Sequence, residues 1–128
     1  MKQGAEIIFE NSEGKILFLL RDDKPNLSFP NYWDLLGGEV EEGETAEQTI
    51  VREMEEELEL DLQDFQLFKF FDFSDDPQTV FYKKMDLDID KINLHEGQKL
   101  QYFSKDEIIT MDLAFHNNEI MKEFFNHD

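Results

Sequence analysis

The stretch Gly38–Leu60, GEVEEGETAEQTIVREMEEELEL, carries ten glutamates, at positions 39, 41, 42, 44, 47, 53, 55, 56, 57 and 59, against one basic residue, Arg52. Thr45 followed by Gln48 has capping-box spacing, in which each side chain bonds the other residue's backbone N–H. Ala46, Ile50, Met54 and Leu58 then recur at every fourth position with no Gly or Pro between them. That pattern predicts a helix over 46–58 with one apolar stripe. On a wheel at about 100° per residue with Ala46 at zero, Glu57 falls at about 20°, Glu53 at about 340° and Glu56 at about 280°. These three carboxylates share one edge of the helix, beside the stripe. Glu55 and Glu59 fall elsewhere and read as solvated charges.

Carboxylates three or four residues apart on a helix stand about 5–6 Å from one another. At an effective dielectric near 20, each such pair repels by about 3 kcal/mol. Full solvation, a raised pKa, Arg52 or a divalent cation would each relieve that repulsion. The residues alone therefore leave two readings, a solvated acidic face or a cation site. An oxygen-only donor set suits Mg²⁺ best, with Mn²⁺ or Ca²⁺ behind it.

Composition narrows the partners. A chain of 128 residues with thirteen Phe has the length and the core material of one domain, spanning 1–128, despite a net charge of −19. That charge, with Arg21 and Arg52 the only arginines, excludes duplex nucleic acid and an anionic membrane as natural partners. It does not exclude a phosphorylated small molecule, because bound cations invert the local charge. Cysteine is absent, so there are no disulfides and no thiolate metal sites. The start, MKQGAEIIFE, lacks the apolar run of a signal peptide, and the longest aliphatic–aromatic run is Ile16–Leu20. A soluble, cytoplasmic protein is expected.

Working outward from the helix, Ala5–Glu10 and Lys15–Arg21 read as strands joined by a turn at Asn11–Gly14. The second is apolar enough to be buried on both faces. Asp22–Pro30 reads as a loop. Tyr32–Leu36 is a short apolar segment ending at Gly37-Gly38, where the backbone can turn or approach a ligand. Gln63–Phe73 and Thr79–Leu87 are aromatic-rich strands, 88–98 a polar loop, Lys99–Ser104 a strand, Asp106–Ile109 a brief helix and Asn118–Phe125 the last helix. The succession predicts one mixed α/β layer fold.

Gly38, Glu44 and the run Arg52-Glu53-Met54-Glu55-Glu56-Glu57-Leu58-Glu59-Leu60 have the spacing of the Nudix box, G-x5-E-x7-R-E-U-x-E-E-x-G-U. Every charged position of the box is matched, so the chain resembles a MutT-like, single-domain Nudix hydrolase. The resemblance implies an α/β/α sandwich with a mixed sheet and a loop–helix–loop motif. It also implies Mg²⁺-dependent hydrolysis (Mn²⁺ as a second fit) of a nucleoside diphosphate derivative: a nucleoside triphosphate, a nucleotide sugar or an ADP-ribose type. Carried over by position, Glu53, Glu56 and Glu57 ligate the metal, with the Gly38 carbonyl as a further ligand. Arg52 orients a ligating glutamate, and Glu44 supports the motif. Glu53 is a candidate base, and Glu96, in His95-Glu96-Gly97-Gln98, is a candidate base from a loop outside the box. Two positions depart from the pattern. Glu59 stands where the family usually has Gly, and Leu36 where many members have Pro. The alternative to a hydrolase is a Nudix-like domain that senses a nucleotide without turnover. Proteins of this kind are often homodimers.

Substrate contacts are less sharply marked. Arg21, Lys24, Lys69 and Lys83 are candidate phosphate partners. Phe81 or Tyr82 is a candidate base-stacking residue. Asn117 or Asn118 stands where MutT-type members read a purine, with Asn118 also readable as the N-cap of the last helix.

Overall fold

β1 (Gly4–Glu10) runs through the centre of the molecule, in a computed structural model that describes residues 3–127. The predicted 1–128 span includes Met1, Lys2 and Asp128, which lie outside the described residues. One edge of β1 pairs in parallel along its whole length with β6 (Gln78–Lys84), from Gly4↔Gln78 to Glu10↔Lys84. The other edge pairs antiparallel with β4 (Leu36–Glu39), then meets β2 (Ile16–Leu20) at Glu10↔Ile16. β5 (Gln66–Phe71) extends the sheet beyond β6. β2 is flanked in turn by β3 (Trp33–Asp34) and β7 (Lys99–Phe103). The result is one seven-stranded mixed sheet.

Helices cover both faces, which is why β1 and β2 are apolar nearly throughout. Ala5, Ile7, Phe9, Leu17 and Leu19 point toward α1 (Ala46–Leu58) and bury Ile50, Met54 and Leu58. Ile8, Ile16 and Phe18 point the other way, toward α2 (Lys105–Ile108) and α3 (Asn117–Asn126), packing on Ile108, Ile120, Met121 and Phe124. This is the α/β/α sandwich. Ile50 and Met54 are fully buried, each contributing about 1.5–3 kcal/mol through removal from water.

The predicted helix holds to the residue. Thr45 Oγ1 accepts from Gln48 N at 3.1 Å and Gln48 Oε1 accepts from Thr45 N at 2.9 Å, closing the capping box. At the other end Glu59 takes the left-handed conformation, φ 56°, while Leu60 N reaches back to Met54 O at 3.2 Å. A non-glycine residue there costs on the order of 1 kcal/mol.

Elsewhere tertiary pairing moved the boundaries. The apolar segment 32–36 contributes to two strands, because Trp33–Asp34 pairs with β2 while Leu36 onward pairs with β1. Gly37 and Gly38 accordingly sit inside β4 rather than at a turn. A Cβ on Gly37, at φ 152°, would lie 2.0 Å from Ala5 O. β5 is shorter than predicted at both ends, and the polar loop holds a 3-10 turn at Ile89–Lys91. α3 begins at Asn117 with His116 before it, so Asn118 is not its N-cap. Among the described residues, no helix is long and apolar enough to cross a membrane.

Candidate active site

The edge of α1 that carries Glu53 and Glu57 faces β4 and the loop around Glu96. One carboxylate oxygen from each of Glu53, Glu57 and Glu96 lies within 4.8 Å of the others. Glu57 is 3% exposed, and its Oε2 is buried with no hydrogen-bond partner. Burial, then repulsion from Glu96 and Glu53, raises its pKa to about 9. Burial likewise raises Glu53, against the pull of Arg52. At neutral pH such a carboxyl keeps its proton, and a divalent cation bound beside it would displace that proton and neutralise the cluster. Three hard oxygens at this separation fit a divalent ion with ligands at about 2.1–2.5 Å.

β4 passes close to the cluster. A Cβ at Gly38 would stand 1.9 Å from Glu53 Oε2, so glycine is what lets strand and carboxylate coexist. Arg52 holds the other side. Its Nε and Nη2 donate to the two oxygens of Glu44 at 2.7 and 2.9 Å, while Nη1 reaches Glu53 Oε1 at 2.9 Å and Glu56 Oε1 at 3.1 Å. Glu44 Oε1 also accepts from Glu41 N at 3.0 Å and Thr49 Oγ1 at 2.9 Å. Hydrogen bonds from Arg52 are the main reason that the Glu44 pKa falls to about 2. The fork to Glu44 in turn raises the Arg52 pKa. Glu44 thus ties the loop before α1 to Arg52, and Arg52 fixes the carboxylate plane of Glu53. Glu56, whose side chain is mostly exposed, engages Arg52 and stands outside the three-oxygen group.

The cluster opens on a cleft of about 870 Å³ whose lining includes Gly38, Glu53, Glu96, Glu6, Asp34 and Phe115. Asp34 is 8% exposed, accepting from Arg21 Nη1 at 3.1 Å and from Asn117 Nδ2 at 2.5 Å. Burial raises its pKa to about 6, with Arg21 and Asn117 opposing. Glu6 beside it is raised well above the carboxylate range, by burial and then by Asp34 and Asp76. Phe29 and Phe115 stand at the rim with ring centroids 4.8 Å apart, each in a left-handed backbone conformation at φ 52°. Residues held in that region are enriched where a loop presents a side chain to a ligand.

The predicted substrate contacts fare differently. Arg21 lines the cleft, but its charge is spent on Asp34, Ser28 O and the Phe115 ring, 4.8 Å away. Phe81 is corrected: β6 turns it toward α1, where it is 3% exposed and packs edge-on to Phe65. Tyr82 faces the opposite core and donates to Glu10 at 2.5 Å. Asn118 is also corrected. Its Oδ1 accepts from Leu113 N and its Nδ2 donates to Met111 O, both at 2.8 Å, so it ties the preceding loop to α3 and does not line the cleft. Its neighbour Asn117 points to Asp34 and leaves Oδ1 buried without a partner. Lys24, Lys69 and Lys83 pair with Asp22, Glu123 and Asp64 O away from the cleft. Glu59, expected to be a solvated charge, is exposed and in addition accepts from Asn93 Nδ2 at 2.8 Å and contacts His95 Nε2 at 2.5 Å.

Sequence reasoning missed Glu6, Asp34 and the Phe29–Phe115 rim. Asp34 had a signal, as the one charge within the apolar segment 32–36. Phe29 and Phe115 had a fainter one, aromatic side chains in loops that offer no core.

Comparison with known proteins bears on the family and the fold. A family model described as NUDIX domain matches residues 2–125. The chain is 46% identical over 55 residues to a putative 8-oxo-dGTP diphosphatase of Bacillus subtilis, covering 43% of this chain and 33% of that protein. It is 38% identical over 56 residues to the dihydroneopterin triphosphate diphosphatase of Escherichia coli, covering 44% and 34%. The matched segment thus spans about a third of the length of these curated relatives. Among solved structures, a protein of Deinococcus radiodurans superposes with a TM-score of 0.81 at 18% identity, covering 94% of this chain and 81% of that one. MutT, solved in work on Aliivibrio salmonicida and Vibrio cholerae, gives 0.77 at 26% identity, covering 95% and 94%.

Proposed function

Because this chain belongs to the Nudix family, we propose that it is a divalent-metal-dependent hydrolase that cleaves the diphosphate linkage of a nucleoside diphosphate derivative. One observation carries the reading. Glu57 is buried with an unpartnered oxygen beside Glu53 and Glu96, two residues that line a cleft large enough for a nucleotide.

Glu53, Glu57 and Glu96 would hold the cation, with Glu56 entering through the oxygen that Arg52 leaves. The ion, when bound, offsets the charge of the diphosphate and makes a bound water more acidic. The remaining work falls to the chain. Arg52 fixes the plane of Glu53, Gly38 keeps the strand clear of it, and Glu57 sits behind the two carboxylates that face the cleft. As water attacks phosphorus and the anhydride P–O bond breaks, its proton passes to Glu53 or Glu96. Both line the cleft.

Within the class, a nucleoside triphosphate is the substrate we favour, and the cleft lining fits its base. Phe29 with Phe115 offers an aromatic face for a base, and the carboxyl groups of Glu6, Asp34 and Asp76 line the same cleft, where their oxygens can accept from a heterocycle's N–H groups. The two relatives above are likewise named for triphosphates. The test is a panel of nucleoside triphosphates, nucleotide sugars and ADP-ribose assayed with Mg²⁺, with Mn²⁺ and with chelator. Metal-dependent release of phosphate, pyrophosphate or a nucleoside monophosphate from at least one compound is expected. A flat panel in which nucleotides still bind would overturn turnover and leave a sensing domain.

A further inference from the structure

Glu96 reaches the carboxylate cluster from residues 92–98, which form neither helix nor strand, so something must hold it there. The loop is fastened on both sides of Glu96. Behind it, Gln98 N donates to Leu20 O at 2.8 Å and Gln98 Nε2 donates to Arg21 O at 2.7 Å. Gly97, at φ 83°, packs so closely on β2 that a Cβ would lie 2.5 Å from Leu19 Cδ1. Ahead of it, His95 N donates to Glu57 O at 2.9 Å. The Glu59 carboxylate, at the left-handed C-terminus of α1, gathers Asn93 Nδ2 at 2.8 Å and His95 Nε2 at 2.5 Å onto one oxygen.

We infer that Glu59 is a positioning residue, clamping the Asn93–His95 side of the loop to the end of α1 so that Glu96 is set against Glu53 and Glu57. The left-handed position would be less strained as glycine. A glutamate tolerated there and bonded to two loop side chains indicates a role outside the helix cap. Side chains that fix the partners of metal ligands commonly shift metal affinity by ten-fold or more. This inference rests on the cluster being the cation site of the proposed hydrolase.

Mn²⁺ titration followed by the EPR signal of the free ion, alongside thermal melts, separates the possibilities. In wild type, Mn²⁺ should bind. Its failure to do so would overturn the hydrolase reading, and the clamp with it. If wild type binds, Glu59→Gly should weaken Mn²⁺ binding by about ten-fold while the metal-free Tm stays level or rises, since the helix end is relieved. Loss of affinity with gain of stability is an outcome that a purely structural role does not produce. Glu59→Gln, which keeps an acceptor oxygen, should recover most of the affinity, and His95→Ala should repeat the loss. In a Glu96→Gln background, Glu59→Gly should change Mn²⁺ binding no further. Wild-type affinity in Glu59→Gly, or a full further loss when Glu96 is already gone, would overturn the clamp and leave the hydrolase reading intact.

Discussion

Glu57→Gln should stabilise the metal-free protein while removing its response to metal. Glu57 has an ordinary pKa of 4.5 in the unfolded chain and about 9 in the fold. Between those values the native state binds a proton that the unfolded state lacks, so stability falls as pH rises. At pH 8 that amounts to about 3.5 units, or roughly 5 kcal/mol at 1.36 kcal/mol per unit. Gln carries no such term. Part of the gain is returned, because the amide finds no better partner than Glu57 Oε2 has now, a cost of about 1–3 kcal/mol. A net gain of about 3 kcal/mol remains. At about 2.1 cal/mol/K per residue for a domain of this length, that raises Tm by about 10 °C. Melts in chelator at pH 5 and pH 8 measure it: the variant should exceed wild type at pH 8, cross it near pH 6 and fall slightly below it at pH 5, where the gain is only about 0.7 kcal/mol against the amide cost. Adding Mg²⁺ should raise the wild-type Tm but leave the variant nearly unmoved, and kcat/KM should fall at least about ten-fold, or 1.4 kcal/mol on the barrier. A variant less stable than wild type at pH 8, or a Tm difference independent of pH, would refute the account of Glu57 as a buried, unneutralised ligand.

Other perturbations probe the supports. Gly38→Ala places a methyl where Glu53 Oε2 now lies, so activity should drop by more than about ten-fold with an unchanged far-ultraviolet CD spectrum. Glu44, whose pKa is lowered to about 2, stabilises the fold above pH 4.5, and that contribution is lost as pH falls from there through about 2. In acid titrations followed by CD, Glu44→Gln should flatten this limb and lower stability at pH 7. Arg52→Lys keeps the charge but not the two-pronged contact with Glu44, so it should lose kcat rather than raise KM. Phe115→Ala removes one face of the rim pair and should raise KM about ten-fold, in line with about 1–3 kcal/mol per stacked base, with kcat held within two- to three-fold by steady-state assay.

How much of this the sequence carries follows from the range of the forces involved. The α1 boundaries depend on neighbours three and four residues apart, and Thr45, Gln48 and the Ile50–Met54–Leu58 stripe made them readable to the residue. The split of 32–36 into β3 and β4 depends on which distant strand each half meets, and no local pattern encodes that. Phe81 shows the same limit. A strand of mostly apolar residues offers two faces, and only the placement of α1 decides which becomes core. Charges behave differently, because burying one demands a partner. Glu57 on the margin of an apolar stripe was conspicuous and Asp34 within an apolar segment was passed over; the partners of both, Arg21, Asn117 and the loop of Glu96, lie far away in the chain. Glu59 joins the two cases. Its departure from glycine was visible in the sequence only as a cost to the helix end, and the fold supplies the contacts that give the residue a use. A residue that breaks a local rule in this chain therefore points outward, to a segment that the rule did not include.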